Sequence, residues 1–418
     1  MRLSKVPKVI QWWMTPKLPP EHIFFSPGKR PKGAGPIFKE YSKRWLIHPI
    51  KRRMAKYYLS FLQKFFDISV IGLTGSAGKT STKEMFASIL KQKGEVVVTY
   101  KNIDSVYNIP TTILKCRPKT RYLVLEMGIE FPGEMDFYLW LAKPKIAVIT
   151  NIYPTHTEFL KHVQGVFSEK SKLIKGLPTK GIAVLNKEDV YLRKLGKNLK
   201  AKVVWFGKDG LVRAENIRLT SDLNTKYTLA IGRDKISIQL PVLGQQFVYN
   251  SLAASVVGHL LGLSLAQIKK GVQEFDVPEH RMRPINLASG ALVLDDSYNN
   301  NPAAAQEALK TLKMVSPGKK RIVVIGDMLE LGENEEKYHR KLGLEVAKLK
   351  VDHLIGVGQL SGFLVEEASK KMEKGKAEWV ADWKKVVPIL RPLLKKDTVC
   401  LIKGSRSIGL DRIVSRLS

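Results

Sequence analysis

Between Asp67 and Glu274, short apolar runs alternate with stretches in which apolar residues return every three or four positions. The runs Ser69–Leu73, Glu95–Thr99, Tyr122–Leu125, Ile146–Ile149, Ile182–Leu185 and Val203–Phe206 predict strands. The helical period predicts helices over Lys79–Lys91, Gly133–Leu141 and Val163–Lys175. Strand and helix in alternation predict an α/β unit with a mostly parallel sheet. Over residues 211–240 the pattern shortens to Val212–Ile217, Lys226–Ile231 and Lys235–Leu240, which predicts an antiparallel appendage. Helices at Tyr249–Leu261 and Leu265–Glu274 close the unit.

A boundary near Val277–Pro278 leads to a second α/β pattern. Its strands are predicted at Ala291–Leu294, Arg321–Ile325, His353–Val357, Glu378–Val380 and Thr398–Ile402. Helices are predicted at Ala303–Met314, Glu335–Leu349, Ser361–Met372, Trp383–Leu394 and Gly409–Leu417, a spacing suited to right-handed crossovers. The divisions are therefore 1–66, 67–276 and 277–418, consistent with the two or three domains expected of 418 residues.

Residues 1–34 are dense in proline and glycine, which argues against a folded core there. Trp12, Trp13, Phe24 and Phe25 stand among lysines in this stretch. Over residues 37–66, apolar side chains from Phe38 to Phe66 recur at roughly helical spacing, with lysine and arginine in most gaps. Such a stripe packs on a neighbouring domain or lies on an anionic membrane surface.

Composition narrows the class. The formal charge is +32, yet residues 1–66 hold 15 Lys and Arg against Glu21 and Glu40, and the remaining surplus is dispersed. No nucleic-acid module accompanies it, so a nucleic-acid partner is disfavoured. No apolar run reaches the ~18 residues a membrane span needs, and no secretory signal pattern opens the chain. Cys116 and Cys400 offer neither a disulfide framework nor a metal knuckle. A cytoplasmic protein is expected, with peripheral membrane contact through residues 1–66 as one alternative.

The strongest chemical signal is Thr74-Gly75-Ser76-Ala77-Gly78-Lys79-Thr80-Ser81, placed between a predicted strand and helix. Glycines allow a tight turn, and successive amides at a helix start attract phosphate oxygens. Lys79 can reach β- and γ-phosphates, and Thr80 can meet Mg²⁺. Leu73 stands where the generic motif has its first glycine. Glu126 ends an apolar strand, where a carboxylate faces the crevice above a parallel sheet and can hold Mg²⁺. His156 follows the next strand and is either a ligand or structural. Lys170, alone, reads as solvated surface beside Lys172 and Lys175.

The loop from Thr74 to Glu84 resembles that of the Mur ligase family. Further likenesses follow in order: Glu126-Met127-Gly128 with Pro132-Gly133-Glu134, Asn151 with His156, Asn250–Ala254, Arg281, Asp295–Asn299 through Asn301-Pro302, Gly326–Gly332, His339, and Lys403–Arg406. They cover about residues 68–418. The resemblance implies a P-loop central domain and a Rossmann-like C-terminal α/β domain, preceded here by the basic amphipathic arm.

It also implies ADP-forming ligation of a carboxylate to an amine through an acyl phosphate, with ATP and Mg²⁺ as cofactors. The substrates implied are a UDP-linked muramyl tripeptide and D-alanyl-D-alanine. Thr80, Glu126, His156 and a carbamylated Lys170 are the implied metal set. Asn250, Arg281, Asp296 and Tyr298 are implied in adenine and ribose contacts, and Asp327, His339, Lys403 and Arg406 on the acceptor side. Glu330, Glu333 and Glu335 read as helix-start and surface charge. Gln246 and Phe247 replace a more usual His–Asn pair, and Lys172 replaces an acidic residue.

The family also implies a UDP-sugar domain of about a hundred residues ahead of the ATP unit, which residues 1–66 do not resemble. A lipid-linked or other non-UDP carboxylate donor, or a folylpolyglutamate-like ligation, is the alternative. A monomer is the family expectation.

Overall fold

The computed structural model describes residues 7–14, 18–24, 33–100 and 103–417. Phe25 and the prolines at 16, 27 and 31 lie outside them. Nine strands form one sheet. They are β1 (Ser69–Thr74), β2 (Glu95–Val98), β3 (Thr120–Glu126), β4 (Ile146–Ile149), β5 (Ile182–Asn186), β6 (Lys202–Phe206), β7 (Val212–Leu219), β8 (Thr225–Ile231) and β9 (Asp234–Leu240). Their spatial order is β2-β3-β1-β4-β5-β6-β7-β8-β9. The first six are parallel, and β7 joins β6 in parallel through Phe206 and Val212. The expected antiparallel strands therefore extend the main sheet at its β6 edge. Val212, Tyr227, Leu229 and Ile238 share one core with Phe86, Val148 and Leu252, which explains the continuity.

A second sheet contains β10 (Arg283–Asn286), β11 (Leu292–Asp296), β12 (Lys320–Gly326), β13 (His353–Val357), β14 (Ala377–Val380) and β15 (Thr398–Lys403), in the order β10-β11-β15-β12-β13-β14. All pairs are parallel except β10–β11. The helix expected at Trp383–Leu394 is broken into 3-10, α and 3-10 turns. Pro388 and Pro392 withhold the backbone donors that a continuous helix would use.

The N-terminal arm departs most from expectation. It forms helices at Lys8–Met14, Ala34–Ser42 and His48–Phe65, with a π turn over Lys43–Ile47 between the last two. Pro49 cannot donate to the Trp45 carbonyl, and the Trp13 indole N–H donates to it instead at 2.8 Å. Arg52 and Arg53 hold the Trp13 carbonyl at 3.2 and 3.0 Å, satisfying an acceptor at the end of the first helix. Leu18, Ile23, Ala55, Leu59 and Leu62 are buried against Val106, Ile109 and Phe137. Proline density in residues 18–24 thus coexists with core packing, because two apolar anchors suffice to seat a short 3-10 turn at Pro20–His22.

Candidate active site

The strand β1 ends in a turn that only glycine accommodates. A Cβ on Gly75 would lie 1.9 Å from Thr150 Oγ1, and one on Gly78 would lie 2.2 Å from Asn250 Oδ1. Gly78 also has φ +80°, which L side chains rarely adopt. The turn is braced from the end of β4. Ser76 N donates to the Asn151 carbonyl at 3.0 Å, Ala77 N to Asn151 Oδ1 at 2.8 Å, and Thr150 Oγ1 to the Ala77 carbonyl at 2.7 Å. The helix Lys79–Lys91 begins directly afterwards. Lys79 Nζ donates back to the Gly75 carbonyl at 2.9 Å. Burial lowers its pKa, the Glu126 charge opposes this, and Arg281 adds to it. Thr74 is different: its hydroxyl is buried and donates to the Met127 carbonyl at 2.7 Å, so it fastens β1 to the end of β3.

Glu126 stands beside Leu73 in the β1–β3 register, at the carboxyl end of the sheet. Thr80 Oγ1 lies 3.1 Å from Glu126 Oε1. Glu126 Oε2 is buried without a hydrogen bond, and Lys83 Nζ lies 3.6 Å from it. Lys83 is itself fully buried, a neighbour that the sequence pattern gave no reason to single out.

Lys170 is 1% exposed, contrary to the surface location its lysine-rich helix suggests. Its Nζ has no hydrogen-bond partner. Burial first, and then the charge of Lys79, push its pKa well below the ordinary lysine value against the pull of Glu134 and Glu169. Burial thus favours the uncharged form of the amine.

His156 sits at φ 55°, a strained left-handed position. Its Nδ1 lies 2.5 Å from Glu330 Oε2, on the loop after β12. Glu158 N also donates to the Glu330 carbonyl at 3.1 Å, and Thr157 Oγ1 to the Leu331 carbonyl at 3.0 Å. Glu330 is therefore a bridge between the two sheets' loops, and not the helix-start charge its sequence context suggests. Of the expected metal set, the structure joins Thr80 to Glu126, buries Lys170 within the electrostatic reach of Lys79, and engages His156 with Glu330.

From the second sheet, Asp296 and Lys403 are register partners at the ends of β11 and β15. Lys403 Nζ lies 2.6 Å from Asp296 Oδ2 and 2.9 Å from the Asn299 carbonyl. Burial lowers the lysine pKa against this carboxylate's pull. Asp295 points elsewhere, to His280 Nδ1 at 2.7 Å and the Ser297 hydroxyl at 2.6 Å. Strand alternation thus makes Asp296 the inward residue. Arg281 stacks 4.4 Å over the Tyr298 ring, and Arg406 lies 5.2 Å from the same ring.

Asp327 is buried, and its Oδ1 accepts from Ser361 N at 2.7 Å and Ser361 Oγ at 2.5 Å. His339 accepts from Met328 N at 3.0 Å through Nε2, while Nδ1 donates to the Glu335 carbonyl at 2.7 Å. Both therefore shape the Gly326–Gly332 loop from within.

A cavity of about 660 Å³ lies between the two sheets. Ser76–Ser81, Asn151, Asn250, Arg281, Asp296 and Lys403 line it. Gln246 lines it too, and its buried Oε1 has no hydrogen-bond partner. These residues fit a magnesium nucleotide. Gly75 and Gly78 leave no room for side chains, and Glu126 presents one oxygen to the Thr80 hydroxyl and the other, without a hydrogen bond, toward Lys83. Such a hydroxyl and carboxylate suit a hard cation.

The chain's C-terminal end of β1 to residue 258 matches the Mur ligase middle domain over residues 73–258, and residues 280–406 match the Mur ligase glutamate ligase domain. It is 34% identical over 363 residues to the UDP-N-acetylmuramoyl-tripeptide–D-alanyl-D-alanine ligase of Buchnera aphidicola subsp. Baizongia pistaciae, covering 86% of this chain and 77% of that one. The chain belongs to the Mur ligase family. The Escherichia coli ligase of the same name is 32% identical, over 83% of this chain and 76% of its own.

Among solved structures, MurF from Acinetobacter baumannii superposes with a TM-score of 0.81 at 27% identity, covering 88% and 80% of the two chains. The Thermotoga maritima MurF ligase in complex with ADP gives 0.79 at 26%, covering 88% and 83%. Membership makes this Mur ligase an ATP-dependent enzyme that forms a carbon–nitrogen bond.

Proposed function

We propose that this Mur ligase joins D-alanyl-D-alanine to a UDP-N-acetylmuramoyl tripeptide at the cavity between its two sheets, in the cytoplasm. The observation that carries the reading is the pairing of a loop whose Gly75 and Gly78 admit no side chain with a half-buried Glu126 beside Thr80 and Lys83. The named relatives support the substrates.

In this reading residues 67–276 form the P-loop ATP domain, 277–418 the Rossmann-like acceptor domain, and 1–66 an added arm. The amides of Gly78 and Lys79, at the start of the helix, and the Lys79 ammonium gather phosphate oxygens. Thr80 and Glu126 would hold Mg²⁺, which when bound would offset the repulsion between triphosphate and carboxylate. Lys170 suits carbamylation: in its unprotonated form the amine nitrogen would form a bond to CO₂ carbon and release a proton, leaving an anion where the lysine side chain stood. Glu330 holds His156 through its Nδ1. Asn250 and Gln246 offer amides to the adenine edge, and Tyr298, stacked by Arg281, offers a ring face. Arg406 is exposed and free to meet the acceptor carboxylate, whereas Lys403 acts through its pair with Asp296.

The test is an assay of purified protein with Mg²⁺, ATP, the UDP-linked tripeptide and D-alanyl-D-alanine. Phosphate release that needs both substrates, with product of the summed mass less water, is the expected result. Turnover with a lipid-linked donor alone would transfer the assignment to that donor, and no ATP hydrolysis with either would refute it.

A further inference from the structure

The helix His48–Phe65 is apolar on two separate faces. Ala55, Leu59 and Leu62 are buried in the body. On the other side stand Ile47, Ile50, Met54, Tyr57, Phe61 and Phe65, each between 46% and 67% exposed. At about 100° per residue these six occupy a sector of roughly 80°, about a third of a turn from the buried three. The stripe runs some ~27 Å along the surface at ~1.5 Å per residue. Packing on the neighbouring helices, which the sequence offered as one account of the apolar pattern, uses only the first face.

The flanks of the exposed stripe are cationic. Arg53 and Lys64 border one side and Lys51 the other, and the helix contains no acidic residue. Trp12 is 64% exposed beside it, with its ring stacked 4.5 Å from the Arg53 guanidinium. The arm as a whole carries 15 Lys and Arg against two acids. A long, flat apolar row bordered by cations and by exposed Trp and Tyr matches what an anionic lipid interface demands: apolar groups enter the acyl boundary, rings sit among headgroups, and lysine stems reach back to phosphates. Among the described residues no helix is long and apolar enough to cross a membrane, so this contact is superficial.

We propose that this outward face of the arm docks the enzyme on an anionic phospholipid bilayer. The proposal concerns a surface outside the cavity and stands whether or not the substrate assignment does.

The experiment is co-sedimentation of the full chain with vesicles of phosphatidylcholine alone or containing roughly one-third phosphatidylglycerol. The chain should pellet with the anionic vesicles, remain in solution with the neutral ones, and release as salt rises. The double substitution Ile50→Glu and Phe61→Glu should weaken that binding at least about tenfold. Both side chains are already half exposed, so circular dichroism and ATP turnover in solution should be unchanged. Absence of binding to anionic vesicles, or equal binding by the folded double variant, would overturn the proposal. So would a concentration-dependent dimer that the double variant abolishes while vesicle binding is missing, because the occupant would then be a second copy.

Discussion

Lys170 shows how far a residue's surroundings can depart from its local sequence. Lys172 and Lys175 share its helix and suggest a solvated face, yet the Lys170 amine is enclosed without a partner. Spacing could not reveal this, because the walls that enclose it come from distant segments; only the likeness to a family singled it out. An unpartnered buried amine costs stability, so its retention points to chemistry. Lys170→Met, similar in length and apolar, should leave thermal stability unchanged or raised while phosphate release falls about 100-fold. A parallel loss of melting temperature and activity would make the residue structural. Glu330 offers the opposite case. It reads as surface charge in the sequence, because its partner His156 is 174 positions away.

At the scale of elements, most strands and the arm's amphipathic helix were legible, whereas the seating of residues 18–24 in the core was not. His353–Val357 follows its apolar run residue for residue. Strand β11 continues through Asp295 and Asp296, since buried pairing with β15 tolerates carboxylates that find His280 and Lys403. The helix Ser105–Ile113 escaped the periodicity because Pro110 lies inside it, although Asp104 caps it by accepting from Val106 N at 2.9 Å. Strand β10 was hidden by Pro284, which an edge strand accommodates.

The arm is seated partly by His22, whose Nε2 lies 2.6 Å from Glu134 Oε1 and whose Nδ1 lies 3.6 Å from Asp104 Oδ2. The three groups' ligating atoms lie within 4.8 Å of one another, but Glu134 also accepts from Glu130 N and Phe131 N, so the cluster already has protein partners. Burial works against the imidazolium, yet the hydrogen bond and charge of Glu134, with Asp104 and Glu130, raise the His22 pKa above 6.5. Burial, then the charges of Glu330 and Glu134, push Glu130 up to about 7.

Both folded-state values exceed their unfolded ones, so both contributions are greatest at low pH. The Glu130 part fades from its usual 4.5 up to about 7, and the His22 part fades above 6.5. Once corrected for the base-catalysed intrinsic rate, hydrogen exchange over residues 18–24 should therefore be slower at pH 6 than at pH 8. His22→Ala should speed it by about 1–3 kcal/mol of opening free energy and flatten the pH dependence above 6.5. Exchange that is slower at pH 8, or unaltered by the substitution, would contradict this account of the seat.

For the whole molecule, the two sheets contribute complementary halves of one cavity. The loop after β1 brings phosphate-binding amides, and the ends of β11 and β15 bring Asp296 and Lys403. The His156–Glu330 contact ties these halves together, and domain closure commonly governs turnover in such arrangements. Glu330→Gln should preserve the fold and lower kcat by roughly fivefold, with a smaller change in ATP KM, as expected for loss of about 1 kcal/mol. An unchanged kcat would make the bridge incidental.

The central claim is that a phosphoryl group passes to a carboxylate gathered beside Lys79 and Glu126. It is tested most directly with a UDP-linked tripeptide whose terminal carboxylate carries ¹⁸O, incubated with the enzyme, Mg²⁺, ATP and D-alanyl-D-alanine. Mass spectrometry of the released phosphate should find one ¹⁸O per phosphate in proportion to amide formed. Unlabelled phosphate accompanying amide formation would contradict the claim.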